Sequence, residues 1–433
     1  MSATDCRRQI EAAVEAVRLV DTHEHLVSES LWLQQKVDFF YWFQQPWFSQ
    51  YAGDDLVAAG MSDADFAALG DTTLSDERRW ELLAPWWPLV RLTAFSRVLR
   101  LAARDIYDVP EIDASSWRTL NERMRQARKP GFYEEVLHSR AGIDLAILDR
   151  IVLTDEDVER ELPPRTVRVQ RFDETFIAFD RATLESYAAK HGRTVRCLDD
   201  WLALLDLEFK EILARGCFVG LKNAQAYDRP LSFEVVPRER AERVFGTLLA
   251  AGSLRFEDRK PLEDFMFHEI AARAGKLGLP VQIHTGLQAG PGNELGRSQP
   301  LLLLPLIKAH PETRFVLFHG SFPFMGELGV LARNHRNVFI DMCWMPAISP
   351  LESRQWLARW LETVPVNKIM AFGGDYLFPE GTYAHSRLAR AVVAGALGDM
   401  VESTALSLEE ALWAAPRLLR DNAIECFKLQ RFL

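Results

Sequence analysis

Cysteine is scarce: Cys6, Cys197, Cys217, Cys343 and Cys426 are the only five, scattered along the chain and odd in number. They have neither the spacing of a disulfide scaffold nor that of a zinc finger, which points to a reducing compartment and a cytoplasmic protein. Long apolar runs are missing too. No uninterrupted stretch is long enough to span a bilayer, and the N-terminal segment has no apolar signal core, so a membrane partner is not expected. Basic charge is in deficit, with 51 Lys and Arg against 61 Asp and Glu and a net charge of −10. With no basic run to offset it, nucleic acid and anionic lipid are excluded as partners. There is no internal repeat and no low-complexity linker. No Gly-x-Gly-x-x-Gly turn follows the first apolar run, which argues against a doubly wound dinucleotide-binding sheet.

What is present is an ordinary apolar content of 48% and a pair of histidines in Val20-Asp-Thr-His-Glu-His-Leu26. A helix is expected from about Asp5, with Ile10, Val14 and Val17 on one face, leading into a first strand that ends in this pair. Alternate residues of a strand share a face, so His23 and His25 project together, and two imidazoles so fixed are half of a metal site.

Further apolar runs follow, each closing on a polar residue. Arg150-Ile-Val-Leu153 is one. Val167–Gln170 closes on Arg171 and Asp173, and Cys217–Leu221 closes on Lys222. Pro280–Ile283 ends at His284, Phe315–Phe318 at His319, Val338–Ile340 at Asp341, and Ile369–Phe372 leads through two glycines to Asp375. Helical patterns such as 198–214, 263–276 and 300–309 lie between them. Eight strands alternating with helices predict a (β/α)8 TIM barrel, with the polar strand ends gathered at one mouth.

Residues 1–26 and 148–433 are assigned to that barrel. Residues 27–147 are expected to form a helical insertion between strands 1 and 2. It holds seven of the twelve tryptophans: Trp32, Trp42, Trp47, Trp80, Trp86, Trp87 and Trp117. They serve as the insertion's own core, and the insertion as a cap with a few aromatics facing substrate. The remaining histidines, His138, His191, His268, His310, His335 and His385, fall outside strand ends and read as surface or packing residues.

The stretches Asp21-Thr-His-Glu-His25, Gly220-Leu-Lys222 with Ala226-Tyr227, Gln282-Ile-His-Thr-Gly286, Phe318-His-Gly-Ser321 and Phe372-Gly-Gly-Asp375 together resemble the amidohydrolase superfamily. The resemblance is closest to its amidohydrolase-2 and uronate-isomerase-related branch, and Arg171-Phe-Asp173 is similar to a substrate-contacting segment of uronate isomerases. It implies one divalent metal, zinc first, held by His23, His25, His284 and Asp375. His319 and Asp375 would be catalytic, and Lys222, Arg171, Tyr227 and Trp344 would bind substrate. Were Lys222 carboxylated, it would bridge two metals; as a plain cation it would hold a substrate carboxylate. Asp341 reads as structural.

The implied reaction is hydrolysis of a small carboxylate-bearing substrate by metal-activated water, with Asp375 as proton shuttle. Isomerisation of a sugar acid and non-oxidative decarboxylation are the alternatives on the same scaffold. A barrel kept only for binding is a third, and association with a second copy stays open.

Overall fold

The computed structural model describes residues 3–44, 51–150 and 163–433. Eight parallel strands follow one another in sequence order around a single sheet. They are β1 (Leu19–Glu24), β2 (Ile143–Leu148), β3 (Thr166–Arg171), β4 (Phe218–Asn223), β5 (Val281–Ile283), β6 (Phe315–Leu317), β7 (Val338–Asp341) and β8 (Ile369–Met370). Helices lie between most of them, and the architecture is a (β/α)8 barrel.

β1 and β4 are buried at every residue, because one face fills the barrel and the other meets the helices. The helices Leu198–Arg215 and Phe256–Leu277 feed β4 and β5 after ending on Gly216 and Gly278. Both glycines are left-handed, at φ 72° and 68°, the conformation that reverses a chain at a helix end without a Cβ penalty. The segment expected as one helix over 300–309 divides into a 3-10 turn, Pro300–Leu303, and a short α-helix, Leu304–Ala309, with Pro305 in its first turn.

The second strand corrects the sequence reading. It runs over Ile143–Leu148, not over Arg150–Leu153, of which residues 151–153 lie outside the described residues. The boundary expected at 147/148 therefore falls inside β2. The β-branched run Ile151-Val152 outweighed Ile143-Asp-Leu-Ala-Ile-Leu148 in the pattern because Asp144 interrupts the latter. That carboxylate points outward, to Arg18 and Arg420.

The ring closes without a regular ladder between β8 and β1. Thr22 N–H donates to the Phe372 carbonyl (3.3 Å), Asp375 N–H to that of His23 (2.9 Å), and His25 N–H to that of Tyr376 (3.2 Å). The last seam of the barrel is thus built from the residues of the candidate site.

Between β1 and β2 lie short helices whose aromatic side chains pack on one another. Trp32 stacks on Phe132 at 5.0 Å and Trp80 on Trp117 at 5.4 Å. Trp42 lies parallel to Phe378, beyond β8. Trp47 lies outside the described residues. From this insertion Tyr51 reaches the mouth: its hydroxyl donates to the Asp375 carbonyl and its ring packs 4.5 Å from Trp344. Among the described residues no helix is long and apolar enough to cross a membrane.

Candidate active site

His23, at the end of β1, is buried. Its Nδ1 lies 3.2 Å from Gln282 Oε1, and the same amide donates its Nε2–H to the Thr22 carbonyl at 2.9 Å. That second bond fixes the amide so that its oxygen faces the ring, and Nδ1 must donate. His25 Nδ1 faces the Asp149 carbonyl at 2.8 Å, an acceptor only, so it also carries its hydrogen there. Both rings therefore turn a bare Nε2 towards the barrel axis, the tautomer a metal ligand needs.

Asp375 meets them. Its Oδ1 is 3.0 Å from His25 Nε2 and 3.7 Å from His23 Nε2. Asp149 Oδ2 is 3.6 Å from His23 Nε2. Ligand atoms held tetrahedrally at zinc-ligand distances stand about 3.4 Å apart, so nitrogen and oxygen donors spaced this way fit a small divalent ion. Burial lowers the basicity of His23, with the Lys222 charge adding to it, which keeps the ring neutral and able to ligate. Burial alone would raise the Asp375 carboxyl. The imidazoles that surround it, His25 first and then His23 and His319, favour its ionised form, more than offset that burial and hold the group well below the usual carboxylate range.

His284 turns to His319 instead of joining this group. His284 Nδ1 and His319 Nε2 are 3.0 Å apart, while His284 Nε2 faces the Leu287 carbonyl and His319 Nδ1 that of Cys343, each at 2.9 Å. These three contacts require three hydrogens, and two neutral imidazoles carry two. Both rings are held neutral, burial being the main cause, so His284 Nδ1 and His319 Nε2 turn lone pairs towards each other. In this arrangement His319 gives its N–H to the Cys343 carbonyl and its lone pair faces His284, so it presents no N–H of the kind that stabilising an oxyanion would need.

Arg171 is engaged otherwise than expected. Its Nε donates to Asp149 Oδ1 at 2.7 Å and its Nη2 to Asp149 Oδ2. This bidentate pair takes one edge of the guanidinium and leaves Nη1 outside it. Asp173 instead accepts from Asn223 Nδ2 and Ala224 N–H at 2.9 and 2.7 Å.

Lys222 is buried with its Nζ 3.9 Å from the Phe318 ring centre, and among the described residues it has no hydrogen-bond or ion-pair partner. Burial lowers its basicity, while Asp149 and Asp375 pull it back up. Tyr227 is 44% exposed, stands 4.7 Å from the His284 ring and accepts from Ala289 N–H. Trp344 is buried edge-on to His319 at 5.2 Å.

Asp341 lies deeper. It accepts from Thr22 Oγ1 (3.1 Å) and Cys343 N–H (2.9 Å), and burial pushes its carboxyl up to about 7. Its unfolded value is about 3.9, so between about pH 4 and 7 the folded chain keeps a proton that the unfolded chain has lost. The contribution of Asp341 to stability therefore falls as pH rises through that window. Asp341→Asn is expected to flatten the fall of Tm with pH, measured by thermal unfolding across it; an unchanged slope would show that Asp341 carries no such proton.

Asp149, Gln282 and Tyr51 did not emerge from the sequence. Asp149 follows β2 directly and would have been found by the same strand-end rule had that strand been placed correctly. Tyr51 comes from the insertion and carries no strand signal.

The amidohydrolase family model matches residues 20–429, and the chain belongs to that family. Protein fluG of Emericella nidulans is 29% identical over 231 residues, which are 51% of this chain and 26% of that protein, so the match spans about a quarter of the relative's length. A glucuronate isomerase of Caulobacter crescentus superposes with a TM-score of 0.79 at 19% identity, over 99% of this chain and 95% of that one. A Lactobacillus casei protein classed as a metal-dependent hydrolase gives 0.67 at 18% identity, over 98% of each chain. At such identities these two likenesses show the shared fold.

Proposed function

We propose that the chain is a metal-dependent hydrolase acting on a small, carboxylate-bearing substrate. The observation that carries this reading is the convergence of the bare Nε2 atoms of His23 and His25 on Asp375, beside the unpartnered ammonium of Lys222. His23, His25 and Asp375 would hold one divalent ion, zinc first. Such an ion supplies Lewis acidity and brings the pKa of a bound water from about 15.7 to about 7.

The chain's own residues do the rest. Asp375, ionised at neutral pH, takes a proton from the attacking water and passes it to the leaving group. Lys222 receives the substrate carboxylate, helped by the free edge of Arg171, whose charge is otherwise spent on Asp149. Trp344 and Tyr227 wall the substrate on either side of the His284–His319 pair.

Elemental analysis of the purified protein, with a panel of acidic amides, lactones and uronates, tests the reading. One equivalent of metal and hydrolysis of an acidic member are expected. Two equivalents recovered only with bicarbonate would make Lys222 a carboxylated bridge, and turnover of uronates alone would replace hydrolysis by isomerisation. Given an active substrate, Lys222→Gln should raise KM for the carboxylate form by about two orders of magnitude, the scale of an ion pair lost from a buried site. An equal effect on a neutral analogue would remove Lys222 from the anchoring role.

A further inference from the structure

We propose that Glu24, the residue between the two histidines, is a positioning residue that works with Asp21 to hold the turn carrying Asp375 against His23 and His25. The inference rests on the metal centre described above and adds to it a part that does not touch the ion.

Asp375 sits in the left-handed region at φ 59°, a conformation that a residue with a Cβ seldom keeps unless it is held from outside. The amides on both sides of it are held by carboxylates of β1. Asp21 Oδ1 accepts from Gly374 N–H at 3.0 Å, and also from His23 N–H at 3.0 Å. Glu24 Oε2 accepts from Tyr376 N–H at 3.0 Å. Asp375 N–H itself donates to the His23 carbonyl. Three consecutive amides of the turn are therefore anchored on the strand that supplies both histidines.

The fit is close. A Cβ on Gly374 would stand 1.6 Å from Glu24 Oε1 and 3.0 Å from Asp21 Oδ2, so the two carboxyls lie directly against the glycine backbone. Glu24 and Asp21 are both completely buried. Burying two carboxyl groups side by side is costly, and an apolar pair would close the barrel more cheaply. What these two do that apolar side chains could not is fix the direction of the Gly374 and Tyr376 amides, and so the aim of the Asp375 side chain between them.

Cobalt binding tests this without a substrate. Wild type, Glu24→Gln and Glu24→Ala are stripped with a chelator and titrated with Co2+, with affinity read by competition and ligand geometry by the visible absorption bands. Glu24→Ala is expected to bind Co2+ about 10- to 100-fold more weakly, as is usual when a group supporting a metal ligand is lost, and with altered bands. Glu24→Gln keeps an oxygen for Tyr376 N–H and should stay within a few-fold of wild type. Gly374→Ala, whose Cβ displaces the Glu24 carboxyl while leaving every ligand in place, should reproduce the loss, and it decides the matter if Glu24→Ala does not fold. Wild-type affinity and bands in Glu24→Ala, or in Gly374→Ala, would overturn the positioning role alone. A wild type that takes up no Co2+ would overturn the metal centre and this inference with it.

Discussion

Asp375→Asn is expected to lower kcat by two to four orders of magnitude while the protein keeps most of its metal. The substitution preserves the size of the side chain and one ligating oxygen but removes the proton acceptor. Its backbone consequences are small. The N–H bond to the His23 carbonyl and the carbonyl bond from Tyr51 both use main-chain atoms of residue 375. Asparagine also accepts the left-handed conformation about as well as aspartate. A fall in turnover with retained metal would thus report chemistry and not misfolding. The measurement pairs steady-state rates on an accepted substrate with metal content on the same sample, and near-normal turnover would reduce Asp375 to a structural ligand.

The double variant His23→Ala, His25→Ala is expected to be metal-free and folded. Removing two of three nitrogen and oxygen donors leaves too few to hold an ion. The barrel does not depend on the imidazoles for closure: Thr22 N–H, the His23 carbonyl and His25 N–H are main-chain groups that alanine supplies equally. Some stability is lost because His23 packs edge-on to Phe318 at 4.8 Å. Elemental analysis and circular dichroism check both halves. Unchanged metal content would mean that the ion sits elsewhere, the gap between His284 and His319 being the first place to look.

The barrel was legible because each of its strands ends an apolar run, and the polar residue after the run then falls at the mouth without any knowledge of packing. That rule found His23, His25, Lys222, His284, His319 and Asp375. It could not tell that His284 faces His319, because strand order sets which neighbours are adjacent while side-chain torsions decide which of them touch. Nor could it tell that Arg171 is paired. Its partner, Asp149, ends the strand that the pattern placed too late, and one misplaced strand hid both the carboxylate and the fate of the guanidinium. Tyr51 was beyond reach for a different reason: a helix of the insertion has no strand-end marker, and its approach to residue 375 is a product of tertiary packing.

The missing ladder between β8 and β1 has a consequence for how the protein opens. β8 has only two residues, and the wall at that point is held by three separate main-chain bonds, from Thr22, His25 and Asp375, and by the carboxylates of Asp21 and Glu24 on the amides of the turn. With no continuous ladder there, these amides should exchange with solvent deuterium ahead of those paired along the longer neighbouring strands. Any ligand that bridges β1 to residue 375 then acts as a clasp on the whole cylinder. Its occupancy would be readable as slowed exchange at this one joint, by a measurement that needs neither a substrate nor a turnover assay.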